Sequence, residues 1–193
     1  MRISHKQLVG LRAATALCLS VLVAGCAVQV NRPLTSASLD GFSGDYEVLE
    51  QYPADTFKLK EINIRLTRDV NETATAVVRF RNGDAKRDLA YMYCTNPRGA
   101  DKSGENSGTD AMRCKEGSVL TPTLSIVRRL DSQPLKINTG GVIGPPQWLT
   151  SDAEYLVQLE FGRTGTMSYF VRRTSGAPVR TLRADQMTAE SVQ

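Results

Sequence analysis

The sequence predicts an all-β protein: an antiparallel meander of about eight strands closed into a small barrel, with a β-sandwich as the alternative. Three observations carry this reading. Apolar and polar residues alternate with period two, repeatedly, from Gly44 to Arg173. Turn residues separate most of these segments by distances that a hairpin spans. Segments with the helical period are few.

Tyr46, Val48 and Tyr52 alternate with Asp45, Glu47 and Gln51 in a first strand. A second, Thr56 to Thr67, opens with Phe57 and Leu59 on one parity and continues with Ile62, Ile64 and Leu66 on the other. That phase flip predicts a bulge or sharp bend near Lys60-Glu61. The third, Thr73 to Arg81, turns Ala74, Ala76, Val78 and Phe80 inward and Arg79 and Arg81 outward, and Asn82-Gly83 signals a hairpin turn. Leu89 to Cys94 is apolar on both parities, which predicts a strand covered on both faces. Leu120, Leu124 and Ile126 mark a fifth strand, where Pro122 favours an edge or an early position. Leu135 and Ile137 suit a short sixth. Tyr155, Val157, Leu159 and Phe161 form a seventh, and Gly162-Arg163-Thr164-Gly165 turns the chain into an eighth with Met167, Tyr169 and Val171. Residues 174–193 lack the alternation, and Pro178 to Met187 suits a short helix or disorder equally.

Ahead of the strands, Arg2, Lys6 and Arg12 precede an apolar run, Ala13 to Val23, too short to span a bilayer as a helix. Val23-Ala24-Gly25-Cys26 then matches a lipobox. The first 26 residues thus resemble a bacterial lipoprotein precursor. The resemblance implies a signal peptide over 1–25, cleavage after Gly25, and a diacylglycerol-bearing Cys26, often with a further acyl chain such as palmitate. Two or more chains make such an anchor stable, at about 0.8 kcal/mol per buried methylene. Ala27, where Asp would favour the inner membrane, implies the outer membrane, with the domain in the periplasm. Residues 26–43, polar and small with Pro33 and Thr35-Ser36-Ala37-Ser38, read as a tether. Residues 44–173 form the β domain and 174–193 a tail.

Loss of the leader changes the chemistry available. The precursor has 24 basic and 20 acidic residues; the leader removes three basic and no acidic ones, which leaves 21 against 20. So small an excess argues against nucleic acid as a partner. The only histidine, His5, also departs. The mature chain therefore builds neither a Ser-His-Asp nor a Cys-His arrangement and lacks the commonest metal ligand. Carboxylates such as Asp45, Glu47, Asp55 and Glu61 are the remaining acid–base groups, and the pattern singles out no pair. No catalytic residue, metal or cofactor is assigned. With Cys18 lost and Cys26 lipidated, Cys94 and Cys114 remain, and an oxidising envelope favours their pairing over two free or metal-binding thiols.

Two loops exceed what hairpins need. Thr95 to Arg113, which contains Arg98, is polar and clamped at its base by the expected disulfide. Asn138 to Ser151 contains Pro145, Pro146, Gln147 and Trp148, the only tryptophan. Two prolines hold this backbone extended, so the ring is either presented as a binding anchor or folded back onto one end of the barrel. Arg65, Arg79, Arg81, Arg128, Arg129, Arg172 and Arg173 fall on outward parities, facing solvent among acidic neighbours or meeting an acidic partner or lipid phosphates.

These features together read as a lipid-anchored, non-catalytic module that binds another envelope protein through the two loops, as an assembly, secretion or inhibitor accessory. The alternative is a lipocalin-like carrier of one small lipophilic ligand, for which the small residues Ala74, Ala76 and Ala90 leave room. The Gly-x-Trp start of lipocalins is absent; the nearest segment is Gly41-Phe42-Ser43-Gly44-Asp45-Tyr46. The anchor has a direct test. Cys26→Ser should abolish labelled palmitate incorporation and move the protein from the membrane to the soluble envelope fraction; retention of label would refute lipidation at Cys26.

Overall fold

The computed structural model describes residues 31–32, 36–69, 73–97, 108–116, 121–140, 145–162 and 165–181. Cys26, Arg98 and the expected leader, residues 1–25, lie outside these residues. In chain order the elements are β1 (Asn31–Arg32), α1 (Ser36–Asp40), β2 (Gly44–Tyr52), β3 (Glu61–Arg68), β4 (Ala74–Asn82), β5 (Ala85–Pro97), β6 (Thr109–Lys115), β7 (Thr123–Arg129), β8 (Leu135–Asn138), β9 (Trp148–Ser151), β10 (Tyr155–Glu160), β11 (Thr166–Gly176) and β12 (Arg180–Thr181).

Eight strands close into an antiparallel barrel in the order β2, β3, β4, β5, β6, β7, β10, β11, and β11 returns to β2. Each pairs with its neighbour in the chain, except that β8 and β9 are inserted between β7 and β10. The barrel is the one expected, not the sandwich. Period-two alternation builds it: Ile62, Ile64 and Leu66, then Ala74, Ala76, Val78 and Phe80, then Leu124 and Ile126 point inward and are buried. Closure requires close approach at Gly44, where a methyl group would lie 2.2 Å from the Ser175 carbonyl oxygen of β11. Extra residues at Leu49 of β2 and Thr174 of β11 shift the register and bend the two strands around that seam.

Several elements differ from the sequence reading. The phase flip at Lys60-Glu61 is the boundary between a loop, residues 53–60, and β3; the bulges lie in β2 at Leu49, in β11 at Thr174 and in β5 opposite Ala74/Ala76 of β4. Both ends of the expected loop Thr95 to Arg113 are strand, because β5 runs on to Pro97 and β6 starts at Thr109; residues 98–107 lie outside the described residues. β6 supplies the barrel strand that Leu135 and Ile137 were expected to give. β5 is covered on one face only: Tyr91 and Cys94 are buried, whereas Met92 and Tyr93 are 54% and 62% exposed. Ala90 is exposed as well. In the tail, β11 continues to Gly176, and Arg180–Thr181 pairs in parallel with Thr67–Arg68 where a helix was one expectation.

β8 and β9 form a hairpin that packs on the outside of the barrel. Leu135, Ile137 and Ala153 cover Leu156 and Phe170, which point outward from β10 and β11 and are nevertheless fully buried. A second, smaller core results. It explains why Tyr155, Leu156 and Val157 are consecutive apolar residues.

The domain begins upstream of Gly44, within the expected tether, because Leu39 and Phe42 are fully buried in the main core. α1 and the turn after it stop the end of the barrel at which β2 starts. Four successive carbonyl oxygens there accept hydrogen bonds from the barrel. Arg173 Nη2 donates to Asp40 O at 2.8 Å and also to Ser43 O. Tyr155 Oη donates to Gly41 O at 2.9 Å, and Tyr46 Oη to Phe42 O at 2.7 Å. The two tyrosine rings meet edge to face, 5.2 Å apart, and the Arg128 guanidinium lies 5.7 Å from the Phe42 ring centroid. Arg128 and Arg173 therefore belong to the inward parity at this end, not the outward one expected, since they continue the Leu124-Ile126 and Tyr169-Val171 series.

Cys94 and Cys114 form a disulfide between directly opposed positions of β5 and β6, both facing the core. Closing a loop across a separation of 20 residues stabilises by about 3 kcal/mol in the chain-entropy model. Replacing both cysteines by serine should lower unfolding stability in urea by about that amount with the barrel retained. An unchanged midpoint would remove this role.

Candidate functional site

The two ends of the barrel are unlike. Opposite the stopped end, where β2, β4, β6 and β10 finish, inward side chains line an apolar cavity of about 340 Å³. Phe80, Leu89, Leu159, Met167 and Tyr169 form its wall, and Phe57, Leu59, Pro122 and Phe161 reach it from the connecting segments. The middle of the barrel below is filled by Tyr46, Tyr91, Tyr155, Ile62, Ile64 and Met112, so the cavity is confined to one end. Ala74 and Ala76 lie in that filled part.

Phe57 stands at the rim. Its φ of 47° lies in the left-handed region, uncommon for a bulky side chain, and the residue is 58% exposed. Tyr169 Oη donates to the Phe57 carbonyl oxygen at 3.4 Å, which links wall to rim. Three cations, Lys58, Lys86 and Arg87, also line the cavity, and no carboxylate does. Deeper on the inward face of β5, the Tyr91 hydroxyl is buried and has no hydrogen-bond partner among the described residues.

The expected loop of Trp148 is mostly a hairpin. Trp148 is the first residue of β9, 44% exposed, with Lys136 Nζ 5.2 Å from its ring centroid. It plugs neither end of the barrel. Pro145, Pro146 and Gln147 are exposed at the hairpin tip. The tip is held by hydrogen bonds: Thr139 N–H donates to Gln147 O at 2.7 Å, and Gln147 N–H to Asn138 Oδ1 at 3.1 Å. Tyr52 Oη donates to Thr139 O at 3.4 Å, which sets the tip beside the last residue of β2. A polar cleft of about 510 Å³ runs between this hairpin and the barrel wall, past Lys136, Asn138, Gln158 and Ser168. Cys94 and Cys114 face the core, so the structure does not bring them together with Trp148 on one surface.

On the outer wall a charged groove of about 860 Å³ crosses β2, β3 and β4. Its arginines are partnered by carboxylates: Arg65 with Asp45 at 2.5 Å, Arg79 with Asp88 at 2.6 Å, Arg81 with Glu61 at 3.2 Å. Elsewhere Arg172 pairs with Glu47 at 2.5 Å, Arg128 with Asp110 at 3.3 Å and Arg129 with Asp152 at 3.5 Å. This is the balanced face among the two arginine readings. Burial tends to raise the Asp45 carboxyl, but hydrogen bonds from Ser175 and Arg65, the Arg65 charge and a hydrogen bond from Asn63 outweigh it and hold the group below the usual range. Of the carboxylates considered for acid–base work, Asp45, Glu47 and Glu61 are thus engaged with arginine.

Period-two alternation marks the inner parity but not the cavity. Phe80, Leu159, Met167 and Tyr169 lie at the same end of their strands, and alternation specifies face without depth. Comparison with protein families, with curated proteins and with solved structures finds no match to this chain. The site is therefore read from its own residues.

Burial pushes the Tyr169 phenol up to about 12. An unfolded tyrosine ionises near 10, so the folded state holds this proton more tightly. Its contribution to stability is complete below pH 10 and is lost as pH rises toward 12. Tyr169→Phe should remove a late-ionising phenol from the alkaline absorbance titration and flatten the fall in stability over that interval. An unaltered titration would contradict the buried placement.

Proposed function

We propose that this protein is a lipid-anchored cell-envelope module that binds without catalysing, and that its ligand is a small apolar molecule seated in the open end of the barrel. One observation carries the reading: a barrel stopped at one end by hydrogen-bonded backbone and hollow at the other, with an apolar wall. The cavity, about 340 Å³, falls within the size of small-molecule sites, roughly 300–1,000 Å³. It is more than twice an apolar cavity of about 150 Å³ that accepts benzene. A two-ring aromatic or a medium-length hydrocarbon chain suits it. The lipobox supports the anchor, and a mature chain without histidine supports binding over turnover.

A second reading, capture of an envelope protein, is favoured by Trp148. Its ring is partly exposed on a hairpin braced against the barrel, so little ordering would be lost on contact.

The full mature chain with Cys26→Ser, titrated with the uncharged fluorophore N-phenyl-1-naphthylamine, separates the two. Saturable enhancement at one site per chain is expected, weakened at least about tenfold by Met167→Glu and unchanged by Trp148→Ala. Absence of saturable binding, or indifference to Met167→Glu, would overturn the cavity reading. Loss of a co-purifying envelope protein on Trp148→Ala alone would favour the second.

A further inference from the structure

We propose that the occupant of the open end is an amphipathic anion, with its hydrocarbon tail against Phe80, Leu159 and Met167 and its acid group on Arg87, flanked by Lys58 and Lys86. This deepens the cavity reading and rests on it. Two sets of cations on the barrel contrast. On the outer wall Arg65, Arg79, Arg81 and Arg172 each meet a carboxylate within 3.2 Å. At the rim, Lys58, Lys86 and Arg87 are exposed and line the cavity; among the described residues none of them forms an ion pair, and no Asp or Glu shares the lining. Asp88, beside Arg87 in sequence, points the other way and is held by two hydrogen bonds from Arg79; the Lys86 charge, two residues along on Asp88's face of β5, also acts on it, which leaves Arg87 as the cation on the inward face.

Strand geometry puts Arg87 in the decisive place. It shares the inward parity of β5 with Leu89 and Tyr91 and stands opposite Phe80 of β4. A guanidinium is thus set at the top of an apolar wall. Its planar fork matches a carboxylate or phosphate with two parallel hydrogen bonds. In open water an exposed cation holds an anion weakly; a tail fixed in the cavity holds the acid group at the guanidinium and makes that contact intramolecular.

The test compares ten-carbon probes that differ in head group, measured by calorimetry at pH 7 on the full mature Cys26→Ser chain. Decanoate or decyl phosphate should bind at least about tenfold more tightly than decanol, and decyltrimethylammonium should bind most weakly. Either order of the two anions supports the proposal, and the order assigns the source: a free fatty acid or a phospholipid head group. Arg87→Gln should reduce the anions to the affinity of decanol while leaving decanol unchanged, which also reports an intact cavity. Equal binding of decanol and both anions, or an anion preference that survives Arg87→Gln and the Lys58→Gln/Lys86→Gln pair, would overturn the anionic head group and leave the cavity reading standing. Binding of none of the four probes would overturn both.

Discussion

The four carbonyl oxygens of Asp40 to Ser43 set the terms for the rest of this molecule. They are carried by a turn pressed into one end of a barrel, where Gly41, Phe42 and Ser43 are buried, and an unpartnered buried carbonyl costs about 1–3 kcal/mol. Donors must therefore come from the barrel interior, and they do: two tyrosine hydroxyls and one guanidinium. This accounts for polar-tipped residues at inward positions where an aliphatic side chain would pack as well. Tyr46 and Tyr155 fill space with their rings and satisfy backbone with their tips. Arg173 reaches two carbonyls, which a tyrosine in its place would not do. Once the turn is seated, Leu39 and Phe42 complete the core, and one end of the barrel is no longer available to any ligand.

The asymmetry of the barrel follows from this. At the stopped end side chains from several strands bind one turn, whereas at the other end Gln51 ties down the 53–60 segment through the carbonyls of Pro53, Ala54 and Thr56 and the Leu59 N–H, and the cavity wall itself is strand ladder and apolar contact. The disulfide stands between, joining β5 to β6 where β6 contributes few large apolar residues of its own. On the outside, the hairpin of β8 and β9 does for β10 and β11 what a second sheet does in a sandwich: it buries an apolar face that would otherwise meet water.

Much of this fold was readable, for specific reasons. Ile62-Ile64-Leu66 and Ala74-Ala76-Val78-Phe80 announce their faces because the alternate positions, Val77 excepted, are polar. β6 was missed because Thr109–Lys115 carries only Met112 and Cys114 as deeply buried inward groups amid polar neighbours. Trp148–Ser151 reads as loop in the sequence because a strand this short and exposed shows no alternation to read. Arg128 and Arg173 were put outside by the rule that charge faces water, which fails where a buried carbonyl or an aromatic face needs a cation. The open cavity was invisible for a simpler reason. Residues from β4, β5, β10 and β11 meet there only after eight strands have closed in register, and no local pattern encodes that meeting.

The separation of ends also bears on how such a protein changes over time. Substitutions in the turn from Asp40 to Ser43 or in its tyrosine and arginine partners strike hydrogen bonds on which folding depends. Phe80, Leu89, Leu159 and Met167 are held by packing alone, and packing tolerates exchange of one apolar shape for another. The hollow end is consequently free to drift in size and outline while the stopped end preserves the barrel, so ligand preference in descendants of this chain can diverge faster than architecture.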